Sequence, residues 1–121
     1  MTNSKEIIPL SRKDSNSLIN NEAFGLQRIT EIINRLTDKK DGCPWDQIQT
    51  NLSLAKHTIE EAYEVVESIE GQSPDATCKE LGDLLFNILF HIHIATKNDL
   101  FTLNDVIDET VKKMVLRHPH V

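Results

Sequence analysis

The segment from Glu80 to Ile94 constrains the fold of this 121-residue chain more than any other segment does. It predicts a helix that is apolar around most of its circumference, and such a helix is mostly buried. At about 100° per residue, four polar side chains fall within about 80° of one another and form one stripe: Glu80, Asp83, Asn87 and His91. Because burying unpaired carboxylates is costly, this stripe must face something polar.

Apolar residues at steps of three and four predict four helices. The helices cover residues 21–37, 53–70, 74–97 and about 102–118, with a turn-rich connection over 38–52 and a mobile tail over 1–20. The short connections favour antiparallel neighbours, and no segment alternates as a strand does. We predict an all-α, four-helix-bundle-like domain over 21–121, completed by oligomerisation because four short helices hardly cover the third.

The spacing of apolar residues and glycine also predicts where the second helix ends and which residues of the second and fourth helices pack inward. Gly71 is a natural residue for the left-handed position that ends the second helix. The core stripe of the second helix is predicted to be Ala55, Ile59, Ala62, Val66 and Ile69. The inward residues of the fourth helix are predicted to be Leu103, Ile107, Val111 and Met114.

Acidic residues occur in two pairs, each spaced by one helical turn. Glu61 with Glu64 lies on the second predicted helix, and Glu80 with Asp83 lies on the third. On antiparallel neighbours the four carboxylates can converge, and a hard divalent cation such as Mg²⁺ or Mn²⁺ would remove their repulsion. The alternative is an acidic surface that is stabilised by hydration alone.

The formal net charge of −6 is concentrated in the same region. Between Glu60 and Asp83 there are eight acidic residues and one lysine, a net −7, and twelve basic and eleven acidic residues elsewhere leave +1. Such a chain lacks the basic face of a protein that binds nucleic-acid polymers. It is expected to bind a nucleotide only together with a metal ion.

The remaining composition predicts a cytoplasmic protein that does not enter a membrane. Cys43 and Cys78 are far apart, which is unlike a disulfide scaffold or a cysteine-rich zinc site. We see no signal peptide at the N-terminus. The longest apolar stretch, of about a dozen residues, is far shorter than the roughly 20 that a membrane-spanning helix needs.

Several other residues have two interpretations. Lys113 and Arg117 follow Glu109 at four-residue steps, and they form either a surface ion-pair ladder or a cationic edge that holds phosphates. Trp45 either packs beneath the bundle or stacks on a base. His91 is expected to hydrogen-bond along the polar stripe. The sequence has no GxxxxGK[ST], GxGxxG, HExxH or GxSxG motif, which excludes several enzyme classes.

Four motifs in order resemble the MazG family, the nucleoside triphosphate pyrophosphohydrolases of the all-α type. They are Gly42-Cys43-Pro44-Trp45-Asp46, Glu60-Glu61-x-x-Glu64, Glu80-Leu81-Gly82-Asp83-Leu84-Leu85-Phe86 and Arg117-His118-Pro119-His120-Val121. The resemblance covers roughly Leu26 to Val121. It implies Mg²⁺-dependent hydrolysis of a nucleoside triphosphate to the monophosphate and pyrophosphate, and a homodimer or homotetramer. Family members usually continue beyond the last motif, so later residues could add a further pocket wall.

The resemblance also implies roles for individual residues. Glu61, Glu64, Glu80 and Asp83 would be the metal ligands. Glu60 would be a further ligand or the group that orients and deprotonates the attacking water. Lys113 and Arg117 would contact substrate phosphates and His57 the nucleotide, and Asn87 and Trp45 complete the candidate substrate-binding residues.

Two other functions remain open from the sequence. One is a nucleotide-binding or regulatory helical module with little or no catalysis. The other is a related pyrophosphohydrolase that is specialised for dUTP or phosphoribosyl-ATP.

Overall fold

The computed structural model describes residues 9–121, which form six helices and no strand. The helices are α1 (Arg12–Ile19), α2 (Leu26–Leu36), α3 (Pro44–Gln47), α4 (Asn51–Glu70), α5 (Pro74–Lys97) and α6 (Leu103–Arg117). The predicted all-α class is confirmed. The four predicted helices correspond to α2, α4, α5 and α6, and the short α3 lies in the predicted connection.

Helix α1 corrects the prediction of a tail over residues 1–20. Its N-terminus is capped by Ser11, and it contacts α2, with Ser15 buried and Leu18 and Ile19 half-buried. The Arg28 side chain donates to the backbone oxygen of Ile19 at 2.8 Å, and Arg35 donates to the Asn16 side chain at 2.6 Å. The apolar pattern missed this helix because its two apolar residues, Leu18 and Ile19, are adjacent and give no helical period. Residues 1–8 of the predicted tail lie outside the described residues.

Helices α4 and α5 form an antiparallel pair that holds most of the tertiary contacts. Thr50 and Ser53 form a capping box at the start of α4, and Ser73 caps α5 ahead of Pro74. The left-handed residue predicted at Gly71 was placed one position too early. Gly71 has φ −76° and continues the last turn of α4, whereas the chain reverses at Gln72 with φ 56°.

The predicted core stripe of α4 has the wrong phase. The buried residues are Leu54, Val65 and Ser68, and Ile59 is 60% exposed. Apolar side chains occur on two faces of α4, and the face that turns toward α5 is the one that also carries Thr58 and Glu61. Periodicity alone gave no means of choosing between the two faces.

The hydrophobic core joins α2, α4 and the C-terminal half of α5. Its buried members are Ile33, Leu54, Leu89, Phe90, Ile92 and Ile94, with Ile29, Phe86 and Leu103 packed against them. Helix α6 reaches this core only through Leu103, and the other predicted inward residues, Ile107, Val111 and Met114, are 42–52% exposed. Within residues 9–121, no helix combines the length and the hydropathy that a bilayer crossing requires.

Candidate functional site

Three of the four predicted metal ligands come together between α4 and α5. Glu61 from α4 and Glu80 and Asp83 from α5 each place a carboxylate oxygen within 4.8 Å of the others. The antiparallel pairing explains this arrangement, because the middle of α4 faces the first half of α5. Glu61 and Glu80 are half-buried and Asp83 is exposed, so the cluster opens toward solvent.

The electrostatics of the cluster are unfavourable when all its carboxylates are ionised. Burial is the main cause that raises the pKa of Glu61, and repulsion from Asp83, Glu80, Glu64 and Glu60 raises it further. No basic side chain of the described residues forms an ion pair with these acids within 4.0 Å, apart from the contact between His57 and Glu60. The structure therefore concentrates negative charge without neutralising it.

This donor set suits a hard divalent cation. Three carboxylates offer only oxygen atoms, from two helices that are packed firmly against each other. Mg²⁺ and Mn²⁺ prefer oxygen ligands, and Mg²⁺ usually keeps several waters, so an open cluster of three carboxylates fits such an ion.

Glu64 and Glu60 lie beside this cluster on α4. Glu64 is exposed, is not one of the three grouped ligands, and acts on Glu61 through its charge. The Glu60 carboxylate lies 3.4 Å from Nδ1 of His57, and its side chain is 67% exposed. Both therefore remain candidates, Glu64 as a fourth ligand and Glu60 as the base or a further ligand.

A pocket of about 200 Å³ adjoins the carboxylates. The side chains that line it are largely aromatic or apolar: Trp45, Leu54, His57, Phe86 and Phe90, together with Glu61, Asp83 and Asn87. The rings of Trp45 and His57 pack edge to face, with their centroids 5.6 Å apart and their planes at 78° to each other. Four of the predicted site residues thus share this pocket with Glu61: Asp83, Asn87, His57 and Trp45. Trp45 is 49% exposed, so its ring remains accessible for stacking.

Polar residues that the sequence analysis did not select support Asn87. Its side-chain oxygen accepts a hydrogen bond from Thr58 at 2.7 Å, and Thr58 also lies 2.7 Å from Nε2 of His91. Asn51 contacts Nδ1 of the same ring at 3.0 Å. The expectation that His91 hydrogen-bonds along the stripe is confirmed. Thr58 precedes Glu61 by three residues, a spacing that could have indicated a shared helix face.

Lys113 and Arg117 are not part of this arrangement within residues 9–121. Both side chains are exposed on α6, and neither lines the pocket. Neither forms an ion pair with Glu109 within 4.0 Å, so the described chain does not contain the ladder that was one interpretation of their spacing. The basic pair and the carboxylates are separate features of the single chain.

Comparison with known proteins gives consistent matches. Residues 49–121 match the MazG nucleotide pyrophosphohydrolase domain. A nucleoside triphosphate pyrophosphohydrolase of Escherichia coli K12 is 41% identical over 96 residues, which cover 79% of this chain and 36% of that protein. A protein of Thermotoga maritima, named nucleoside triphosphate pyrophosphohydrolase/pyrophosphatase MazG, is 44% identical over 81 residues, covering 67% and 32%. The chain therefore spans about a third of the length of these curated relatives.

Proposed function

This chain belongs to the MazG family, and we propose that it hydrolyses nucleoside triphosphates to nucleoside monophosphate and pyrophosphate. The observation that carries this proposal is the convergence of Glu61, Glu80 and Asp83 beside an aromatic-lined pocket. The names of the relatives support the same reaction. Its physiological setting would be the removal of unwanted nucleotides from the cytoplasmic pool.

We propose Mg²⁺ as the cofactor, with Mn²⁺ as a substitute. Glu61, Glu80 and Asp83 would hold it, with Glu64 as a fourth ligand from the same helix as Glu61. A bound Mg²⁺ supplies charge neutralisation and Lewis-acid polarisation to the triphosphate. The negative cluster supports this requirement, because a polyanionic substrate would otherwise be repelled from Glu61 and its neighbours.

The other residues then have distinct tasks. Glu60 would accept a proton from the water that attacks the phosphoanhydride, since its carboxylate is exposed to solvent and close enough to Glu61 to act on it through its charge. Trp45 and His57 would hold the nucleoside in the pocket, with Trp45 stacking on the base. Lys113 and Arg117 would bind phosphate oxygens through charge-assisted hydrogen bonds.

Neither Lys113 nor Arg117 lines the pocket of the single chain, and a neighbouring subunit that presents its α6 to the pocket would let them bind phosphates. We propose a homodimer or homotetramer. The exposed apolar residues Val111 and Met114 on α6 and Ile59 and Tyr63 on α4 support this, because monomers rarely leave so much apolar surface uncovered.

A nucleotide-binding module without hydrolysis is a second candidate. The separation of the basic pair from the pocket favours it, because a chain that binds the nucleoside without gripping the phosphates would not hold the scissile bond in place. This candidate predicts saturable nucleotide binding without pyrophosphate release.

The deciding experiment measures pyrophosphate release over a panel of canonical and modified ribo- and deoxyribonucleotides that includes dUTP and phosphoribosyl-ATP, with and without Mg²⁺. Glu80→Gln should lower the rate by at least about 100-fold. Glu70→Gln makes the same chemical change at the exposed end of α4 and should leave the rate unchanged. Full pyrophosphate release by Glu80→Gln would contradict the metal site, and binding of nucleotides without any product would favour the non-hydrolytic module.

A further inference from the structure

Four polar residues form a hydrogen-bonded chain across the α4–α5 interface and end at the pocket. The chain passes from Asn51 through His91 and Thr58 to Asn87, with separations of 3.0, 2.7 and 2.7 Å. Asn87 is only 7% exposed and is the residue of the four that lines the pocket. Such a chain, which joins two helices and ends beside the carboxylate cluster, calls for an explanation beyond packing.

The donors and acceptors at the far end of the chain can be assigned from chemistry. The Asn51 side-chain nitrogen lies 3.0 Å from the backbone oxygen of His91 as well as 3.0 Å from Nδ1 of its ring. A carbonyl oxygen only accepts, so this atom of Asn51 must be the amide nitrogen. Its second hydrogen then goes to Nδ1, which leaves the proton of the neutral imidazole on Nε2.

The proton on Nε2 orients the hydroxyl of Thr58. Nε2 of His91 donates to the Thr58 oxygen, so the hydroxyl hydrogen is available for another acceptor. Two acceptors are within reach of the Thr58 oxygen, Oδ1 of Asn87 at 2.7 Å and the backbone oxygen of Leu54 at 3.1 Å. The shorter separation is typical of an O–H···O bond, whereas N–H···O bonds are usually 2.9–3.0 Å, so we assign the hydrogen to Asn87. The hydrogen bond from Thr58 therefore holds the Asn87 amide with its oxygen toward Thr58.

With its oxygen engaged, the Asn87 amide has its Nδ2 hydrogens left to donate, and within the described residues they have no protein partner. This nitrogen is not closed off from solvent, so its hydrogens are free to meet a ligand in the pocket. Asn87 follows the candidate metal ligand Asp83 by one helical turn and stands among Trp45, Phe86 and Phe90. An acceptor that meets Nδ2 would therefore belong to the nucleoside rather than to the distal phosphates.

We propose that Asn87 donates a hydrogen bond from Nδ2 to an acceptor of the bound nucleoside, and that Thr58 is a positioning residue that holds the amide in this orientation. The acceptor is an oxygen of the sugar or an acceptor atom of the base. This inference rests on the proposed function for its ligand class, a nucleoside triphosphate. It goes beyond that function by assigning the donor atom and the chain of residues that fixes it.

The test measures dissociation constants of non-hydrolysable α,β-methylene nucleotides in the presence of Mg²⁺, so that it does not depend on turnover. Asn87→Leu keeps the branched shape of the side chain and removes the donor, and Thr58 can then donate to the backbone oxygen of Leu54 at 3.1 Å. We expect a dissociation constant about tenfold higher for Asn87→Leu. Thr58→Val should raise the dissociation constant by a few fold. Thr58→Ser keeps the hydroxyl and should have the same dissociation constant as the unsubstituted protein.

Two further variants separate positioning from a general loss of structure. Thr30→Val removes a hydroxyl that bonds only to its own helix, α2, and should not change binding. The double variant Thr58→Val/Asn87→Leu should bind no worse than Asn87→Leu alone, because Thr58 acts through Asn87. Additive losses in the double variant would overturn the positioning role.

Repeating these binding measurements with α,β-methylene nucleotides that differ in base and in sugar identifies the acceptor. A loss for Asn87→Leu that varies with the base indicates a base contact, and a uniform loss that disappears with a deoxy sugar indicates a sugar contact. An equal loss with inorganic triphosphate would overturn the proposal, and so would unchanged binding by Asn87→Leu. Absence of pyrophosphate release with ordinary nucleotides would refute the proposed hydrolysis separately, since the binding comparison is made without turnover.

Discussion

The α4–α5 pair holds the acidic cluster and helix α6 holds the basic pair Lys113 and Arg117, and the two regions are held in the molecule very differently. Across the α4–α5 interface, the Thr58–Asn87 hydrogen bond lies close to the carboxylates, and the cluster is assembled by residues of one chain. Helix α6 packs through Leu103, and every residue from Asn104 to Val121 is exposed. The acidic half of the proposed site is thus fixed by packing, whereas the basic half lies on a helix that still has an uncovered apolar face.

This difference separates two physical tasks. Carboxylates that repel one another can be held close only by a firmly packed scaffold, which the antiparallel pair provides. Cationic side chains that reach for phosphates need length and freedom more than burial, and exposed lysine and arginine residues have both. We therefore expect substitutions in the two regions to have different effects.

The largest expected effect comes from the packed half. Glu61→Gln should lower the rate of pyrophosphate release by about 100-fold or more, because it removes a ligand from the three-carboxylate cluster. Glu64→Gln should lower it less, because Glu64 is exposed and lies outside the group of three carboxylates. Glu67→Gln on the same helix is the matched control. Equal losses from Glu61→Gln and Glu64→Gln would make Glu64 a full member of the metal site.

The next largest effect is a loss of stability at acidic pH that arises from His93, where α5 meets the end of α2. Nε2 of His93 lies 2.9 Å from the Thr37 hydroxyl, and burial, aided by the charge of Lys97, lowers the pKa of His93 to about 4. The unfolded chain binds a proton near the ordinary value of 6.5, so the unfolded state holds more protons between these values. The free energy of unfolding should therefore fall as the pH drops from about 6.5 to 4.

We expect His93 to contribute about 2 kcal/mol to this loss, after a reduction for its remaining contact with solvent. Urea unfolding at pH 7 and pH 4.5 measures it. His93→Gln should show a smaller loss than the unsubstituted protein, whereas His120→Gln at an exposed position should not. Identical pH dependence in all three proteins would show that His93 does not provide this linkage.

A smaller effect is expected for the exposed half. Lys113→Gln and Arg117→Gln should each raise KM by roughly tenfold, since a charge-assisted hydrogen bond to phosphate is worth about 1.5 kcal/mol or more. The rise should shrink at high salt. Lys112→Gln removes a neighbouring exposed charge from α6 and serves as the control. An unchanged KM in both variants would show that Lys113 and Arg117 on α6 do not bind the substrate.

The smallest effect concerns the cost of assembling the carboxylates. At neutral pH, Glu61→Gln should stabilise the metal-free protein, because folding raises the pKa of Glu61 and its contribution to stability is lost as the pH rises through that value. Mg²⁺ at five times its dissociation constant should stabilise the unsubstituted protein by about 1 kcal/mol. Thermal unfolding measures both shifts, and a Glu61→Gln protein that still responds fully to Mg²⁺ would contradict the ligand assignment.

Much of the fold could be predicted because helix periodicity and caps are local. The start of α5 at Pro74, after the Ser73 cap, and its end at Lys97 agree with the sequence prediction. Helix α1 was missed because Leu18 and Ile19 are its only apolar residues and do not form a stripe, and because Asn16 and a backbone oxygen make hydrogen bonds to α2. Apolar periodicity carries no signal for such contacts.

Within the candidate site, spacing along α5 was sufficient to place Glu80 and Asp83 on one face. It did not reveal Thr58 and Asn51, whose importance depends on meeting Asn87 and His91 across the interface. The three-residue spacing of Thr58 from Glu61 indicates a shared helix face, but it does not identify what Thr58 contacts on α5. The partners of Thr58 are 29 and 33 residues away, so only the packing of α5 against α4 identifies them.

The sequence by itself determined the helical class, the acidic pairs at one-turn spacing and the motifs of the MazG family, because each depends on residues that are near one another in the chain. The tertiary structure decided which face of α4 is buried, which three carboxylates meet, and which hydrogen bonds orient the Asn87 amide. The tertiary structure also does not bring Lys113 or Arg117 of α6 into the pocket that Glu61 and Asp83 line. These features depend on the phase and register of two helices in contact, and a helix with apolar residues on two faces is compatible with more than one such register.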